Sequence, residues 1–95
     1  MNTKIAEAKQ WLKDAAIKIR KTRKEYKDTQ RANESSWQLA YRLNDLKHEY
    51  RHRHIAYSEM RGRTRDQIER PREGNEPNET LIQKYKGDIL QEAAA

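Results

Sequence analysis

Apolar and small residues return at heptad spacing from the start of the chain, at Ile5, Ala8, Leu12, Ala15, Ile19, Thr22 and Tyr26. At about 100° per residue they fall in one stripe, which predicts an amphipathic helix over about residues 3–31. The stretch RANESSWQ then changes the register, because continuing the heptad would put Asn33 and Ser36 in the seam. Ser35 followed by Gln38 has the S-x-x-Q pattern of a capping box, so a second helix is expected to open there, with one continuous helix as the alternative. This second helix, about 36–61, is apolar on two sides. Leu39, Leu43, Leu46, Tyr50 and Tyr57 share one face, and Trp37, Tyr41, His48 and Ile55 lie opposite. A helix of that kind is sandwiched: one face packs on the first helix, and the other needs the C-terminal helix, a second copy or a partner.

Gly62 supplies a C-cap, and Thr64 with Gln67 repeats the capping-box pattern, opening a short helix over about 65–70 that Pro71 ends. The prolines, glycine and asparagines of 71–78 read as a loop. Asn78 caps a last helix over about 79–92, whose Leu81, Ile82, Tyr85 and Ile89 form one apolar face. Gly87 weakens it modestly, and the closing EAAA is expected to fray.

Composition narrows the picture. The 95 residues include 7 Ile, 6 Leu, 2 Met, 2 Trp and 5 Tyr but no Val and no Phe, and 38% are charged. That is a helical composition with little to bury. The expectation is one all-α domain over 1–95: a long, coiled-coil-like helical hairpin, a short connector helix and a C-terminal helix, completed as a homo-oligomer or as a subunit of a complex. Without cysteine there are no disulfides and no thiolate metal ligands, which fits a reducing compartment. No apolar run reaches the roughly 18 residues of a membrane span, and MNTKIAEAKQ lacks the apolar core of a signal peptide. A cytoplasmic, soluble protein with no membrane partner is expected.

The phrase from Arg61 to Glu69 resembles the opening of the second helix in helix-turn-helix domains, where a Gly caps one helix, a Ser or Thr caps the next and an Ile packs inward. The resemblance would imply a DNA reader. However, such domains need a small residue after the Ile, a Leu three residues further on and a tight turn, whereas this chain has Glu69, Arg72 and Pro71. The stretch therefore reads as a plain helix, turn and short helix.

Charge distribution is more informative than the net charge of +6. Residues 1–31 carry a net +6, 32–41 a net −1, 42–72 a net +4 and 73–95 a net −3. Lys9, Lys13, Arg20, Lys24, Lys27 and Arg31 fall within about 60° of one another on the helix wheel, with Glu7, Asp14, Glu25 and Asp28 read as pointing elsewhere. The stripe extends about 33 Å at 1.5 Å per residue, a ladder of cations suited to a phosphate backbone. Arg51, Arg53, Arg61, Arg63 and Arg65, with Arg70 and Arg72, add guanidiniums able to hold phosphate or carboxylate in bidentate fashion. The expected partner is thus nucleic acid, DNA or RNA, or an acidic protein surface. Trp37, Tyr41 and Ile55 on the second apolar face are the candidate protein interface.

Other chemistry finds little support. His48 and His52 have the i, i+4 spacing of a helical metal pair, but no third ligand of matching geometry accompanies them, so no metal and no cofactor is expected. The Arg42-x5-His48 spacing resembles that of some helical ribonucleases, whose arginine and histidine work at a phosphate, but the chain is small for their four-helix scaffold. There is no nucleophile elbow, phosphate loop or acidic metal cluster. The expected function is non-catalytic: contact with nucleic-acid phosphates and little sequence specificity. The alternative is a small adaptor or inhibitor of the kind mobile elements encode, docking on an acidic surface of a host protein.

Overall fold

The chain is described by a computed structural model over residues 3–32 and 34–94, with side chains through residue 90. Asn33, one of the two residues that mark the register change, lies outside the described residues. Four helices follow one another: α1 Thr3–Arg31, α2 Trp37–Met60, α3 Arg65–Ile68 and α4 Glu79–Ala94. No helix among the described residues is long and apolar enough to cross a membrane.

α1 and α2 form an antiparallel hairpin in which Lys9–Ala16 lie beside Tyr50–Arg63. The heptad stripe faces inward: Leu12, Ala15 and Thr22 are buried, and Ile5, Ala8, Ile19 and Tyr26 are half-buried. The chain reaches α2 through a break, as the register change requires, but without the Ser35–Gln38 box. Ser36 is the N-cap and makes no side-chain capping bond; its carbonyl accepts from the Ala40 N–H at 2.9 Å. A start one residue later than the pattern suggests takes Gln38 out of the position from which it would reach back to Ser35.

The far end of α2 is closed by a Schellman motif. Gly62, at φ 90°, lets its N–H reach the Glu59 carbonyl at 3.0 Å, while the Arg63 N–H reaches that of Ser58 at 3.1 Å. Thr64 then caps α3 with the full reciprocal box to Gln67. This helix stops at Ile68, sooner than the pattern suggests, since Glu69 is already extended on the approach to Pro71. α4 is helical to Ala94, two residues past the expected end.

The core lies where α4 crosses the hairpin. Ile55, Ala56 and Ile82 are fully buried together, with Ile68 and Tyr85 packed against them. Ile55, expected at a surface for a partner, is therefore a core residue: the chain's own α4 covers that part of the second apolar face of α2. His52 is buried in the same layer and uses both ring nitrogens. Nδ1 lies 2.7 Å from the His48 carbonyl, and Nε2 lies 2.8 Å from the Asn78 N–H. A carbonyl can only accept and an amide can only donate, which fixes the neutral tautomer with the proton on Nδ1. Asn78 in turn caps α4 through Oδ1 and the Leu81 N–H at 3.2 Å.

Charged groups tie the remaining pieces together. Arg65 grips Glu79 with two bonds of 2.6 and 3.1 Å and Glu59 with one of 3.0 Å, while Lys86 reaches Glu59 at 3.1 Å. The hydrogen bonds to Glu79, with help from Glu59, hold the guanidinium above its ordinary value against burial. Burial alone would raise the Glu59 carboxyl, but the hydrogen bonds from Arg65 and Lys86 outweigh it; the Arg65 bonds likewise hold Glu79 low. Both carboxyls thus lie below their ordinary 4.5, so the stability they add is present above that pH and is lost as pH falls through the lower folded values.

A compact chain of this length has a radius of gyration of about 12 Å. The observed value is 15.7 Å, within extents of 51 × 32 × 20 Å, because α4 covers only one end of the hairpin. Trp37 and Tyr41, on the uncovered end, are 60% and 66% exposed. Replacing Ile82 by Ala should consequently cost about 2–5 kcal/mol in urea unfolding, whereas Trp37→Ala should stay within about 0.5 kcal/mol of the parent.

Candidate nucleic-acid interface

The hairpin and its Schellman turn bring two parts of the basic sequence together. Lys9 and Lys13 on α1 face Arg61 and Arg63 of the α2–α3 turn across a groove of about 630 Å³. Its remaining lining is Leu12, Ala16, Tyr50, His54, Tyr57 and Ser58, with no carboxylate among the described residues. Among the described residues none of the four cations has an ion-pair partner. Arg61 does lean on Tyr57, with Nη1 3.4 Å from the phenol oxygen and the guanidinium carbon 5.9 Å from the ring centroid. Position follows from local structure: the positive-φ Gly62 turns the chain sharply, so that Arg61 and Arg63 flank the end of α2 beside the first turns of α1.

Aromatic rings line the same groove. Tyr50, His54 and Tyr57 stand at i, i+4 and i+7 on α2, one face of the helix. Tyr50 and His54 are parallel, 5° apart with centroids separated by 5.7 Å. Burial pulls the His54 pKa below 6.5 and the Arg63 charge pulls it further, with Glu69 acting the other way. The ring is therefore mainly neutral at neutral pH. These three residues are the part of the site that sequence reasoning missed, since Tyr50 and Tyr57 count as packing residues on a leucine face. Their i, i+4, i+7 spacing beside flanking arginines was the available signal.

The other predicted cations divide. Arg20, Lys24, Lys27 and Arg31 continue along α1 with Arg23 and border a shallow depression, but Asp28 borders it too. The stripe is thus not free of carboxylate: Asp28 follows Lys24 by one helical turn and precedes Arg31 by slightly less than one. Arg51, Arg53 and Arg65 differ from these, since each is engaged with the chain's own groups. Arg51 makes three bonds of 2.8 to 3.3 Å to Glu69, and reaches the Asn75 carbonyl at 2.6 Å and its Oδ1 at 3.2 Å. Arg53 pairs with Glu49 at 3.0 Å, and its guanidinium lies 4.7 Å from the Trp11 ring and 4.3 Å from the Tyr85 ring. Arg65 is held by Glu59 and Glu79. Placed beside carboxylates and rings on packed elements, these guanidiniums join helices.

Other candidates are less suited to an anion. The cleft around Arg53, Trp11 and Tyr85 is also lined by Glu7 and Asp88. The His48 and His52 rings lie with centroids 4.4 Å apart and planes tilted by 41°, but both nitrogens of His52 are engaged, and among the described residues no group of three or more His, Cys, Asp or Glu could hold a metal ion. The helix-turn-helix resemblance extends to the caps at Gly62 and Thr64. Beyond Ile68, which joins the core, the connection over 69–78 leads to an α4 whose buried side packs on the hairpin. No family model, curated protein or solved structure matches the chain.

The His54 environment can be read directly by NMR titration. The ring should titrate below 6.5, Arg63→Gln should move it upward, and Glu69→Gln should move it downward. Because the unfolded chain takes up this proton first, His54 should begin to destabilise the fold as pH drops through 6.5, with the penalty levelling off below the folded value.

Proposed function

We propose that this protein is a non-catalytic binder of nucleic acid that holds phosphates through Lys9, Lys13, Arg61 and Arg63, with Arg20, Lys24, Lys27 and Arg31 extending the contact along α1. The reading is carried by one observation: four cations with no carboxylate partner among the described residues converge on one groove from two separate parts of the chain. Phosphate contact of this kind releases counterions and carries no sequence information, so affinity depends steeply on salt and weakly on sequence. A chain without cysteine is compatible with a cytoplasmic setting for such a role.

Fluorescence anisotropy with labelled oligonucleotides from 50 to 300 mM salt tests it. Micromolar or tighter binding is expected at the low end, with log affinity falling against log salt at a slope of at least roughly −3 for four neutralised phosphates. Lys13→Glu with Arg61→Glu should remove most of that binding while circular dichroism shows unchanged helicity. Absence of binding at 50 mM salt would overturn the reading.

A second reading rests on a different observation. Trp37 and Tyr41 form an edge-to-face pair, centroids 6.0 Å apart, on the part of α2 that α4 leaves bare. Exposed Trp and Tyr suit a protein-binding adaptor or inhibitor, or an interface between copies of the chain. Under this reading, light scattering of the parent should show a species larger than the monomer or a captured acidic protein, and Trp37→Ala with Tyr41→Ala should abolish it without changing oligonucleotide affinity.

A further inference from the structure

The phosphate-binding reading leaves the rings in the groove without a role, since a phosphate needs cations and N–H donors rather than aromatic faces. Tyr50, His54 and Tyr57 line the same space as the four cations, which come from its two sides: Lys9 and Lys13 from α1, Arg61 and Arg63 from the turn after α2. Cations that can follow a backbone, combined with rings on which bases stack, are the elements of a single-strand site.

The bases of a duplex are already paired and stacked, so they offer no free face to these rings, whereas those of an unpaired strand do. The groove volume of about 630 Å³ is in the roughly 300–1,000 Å³ range of clefts that enclose small ligands, enough for an unpaired nucleotide.

Resting on the phosphate-binding reading, we infer that the groove accepts an unpaired strand, DNA or RNA, with a base laid on the Tyr50, His54 and Tyr57 rings and the adjoining phosphates held by Lys9 and Lys13 on one side and Arg61 and Arg63 on the other. His54 takes part as a neutral ring, parallel to Tyr50 and already partly desolvated. Sequence preference stays weak, because every base has a face to stack. A duplex is left with the outer cations of α1 alone.

The test compares oligo(dT) and oligo(U) with a duplex of equal length at matched salt, using the full chain. Single strands should bind at least tenfold more tightly than duplex. Tyr57→Leu should weaken single-strand binding by roughly 5- to 100-fold, well beyond any loss of duplex binding that follows from freeing Arg61, and Tyr57→Phe, which keeps the ring, should stay close to the parent. On the unaltered protein, a 2-aminopurine placed within the strand should lose fluorescence on binding as it stacks. Equal or tighter duplex binding, or unquenched 2-aminopurine in a bound strand, would overturn the inference while sparing the phosphate-binding reading, provided the salt slope persists. Failure of strand and duplex alike would sink both.

Discussion

The His52 imidazole, tied to its own helix by one nitrogen, joins α2 to the cap of α4 through the other, and the arrangement of the C-terminal third of the chain depends on that link. One nitrogen donates to the carbonyl one turn back on its own helix, and the other receives the N–H of the residue that caps α4. A buried ring with one nitrogen unsatisfied carries the full desolvation penalty, so both bonds must form together or the layer opens. Their closure puts Asn78 at a fixed point over α2 and seats Ile82 against Ile55 and Ala56. With so few large apolar residues available, that contact works together with the buried Ile89 and the ion pairs of Glu79 and Lys86 to hold the third long helix in place.

The charged residues work in two groups whose difference is one of neighbours. Arg51, Arg53 and Arg65 lie where elements cross, each within bonding distance of a carboxylate on the same or an adjoining element. Their planar guanidiniums can take several acceptors at once, which lysine cannot, and Arg51 uses this to hold Glu69 and Asn75 together. Arg61 and Arg63 bracket a glycine in the turn at the end of α2, where none of the described carboxylates pairs with them. Guanidiniums of the same segment are thus structural or outward-facing according to whether the backbone turns them toward the core.

How far the sequence reveals this can be traced residue by residue. The seven-residue seam of α1 reads cleanly because its period alone decides which side is inward, and the Gly62 and Thr64 caps read cleanly because each is a local bonding pattern. The apolar face of α4 was legible for the same reason. Ile55 was not, because its burial depends on how far along α2 a helix some 25 residues later comes to rest. Arg51 meets Glu69 18 residues and Asn75 24 residues away, and Arg65 meets Glu79 14 residues away, across connections whose path no local pattern encodes. The groove belongs to the same class: two lysines near the N-terminus meet two arginines past residue 60 only because the hairpin is antiparallel and its arms are of similar length. Once that register is known, the aromatic lining at 50, 54 and 57 follows from helical spacing alone.

The location of the groove has a physical consequence of its own. Local opening costs the least free energy where little is buried, and in this chain burial is concentrated where α4 crosses the hairpin. Lys9 and Lys13 stand at that end on a helix braced by the core, and Arg61 and Arg63 stand in the capped turn that closes α2, so the backbone that carries them is in place before any partner arrives and little backbone ordering entropy is lost on binding. Trp37 and Tyr41 stand at the other end, on two helices alone, where contact with a further surface would add burial that the chain does not supply itself. The same placement of α4 thus produces a preformed basic groove at one end and an unfinished apolar surface at the other.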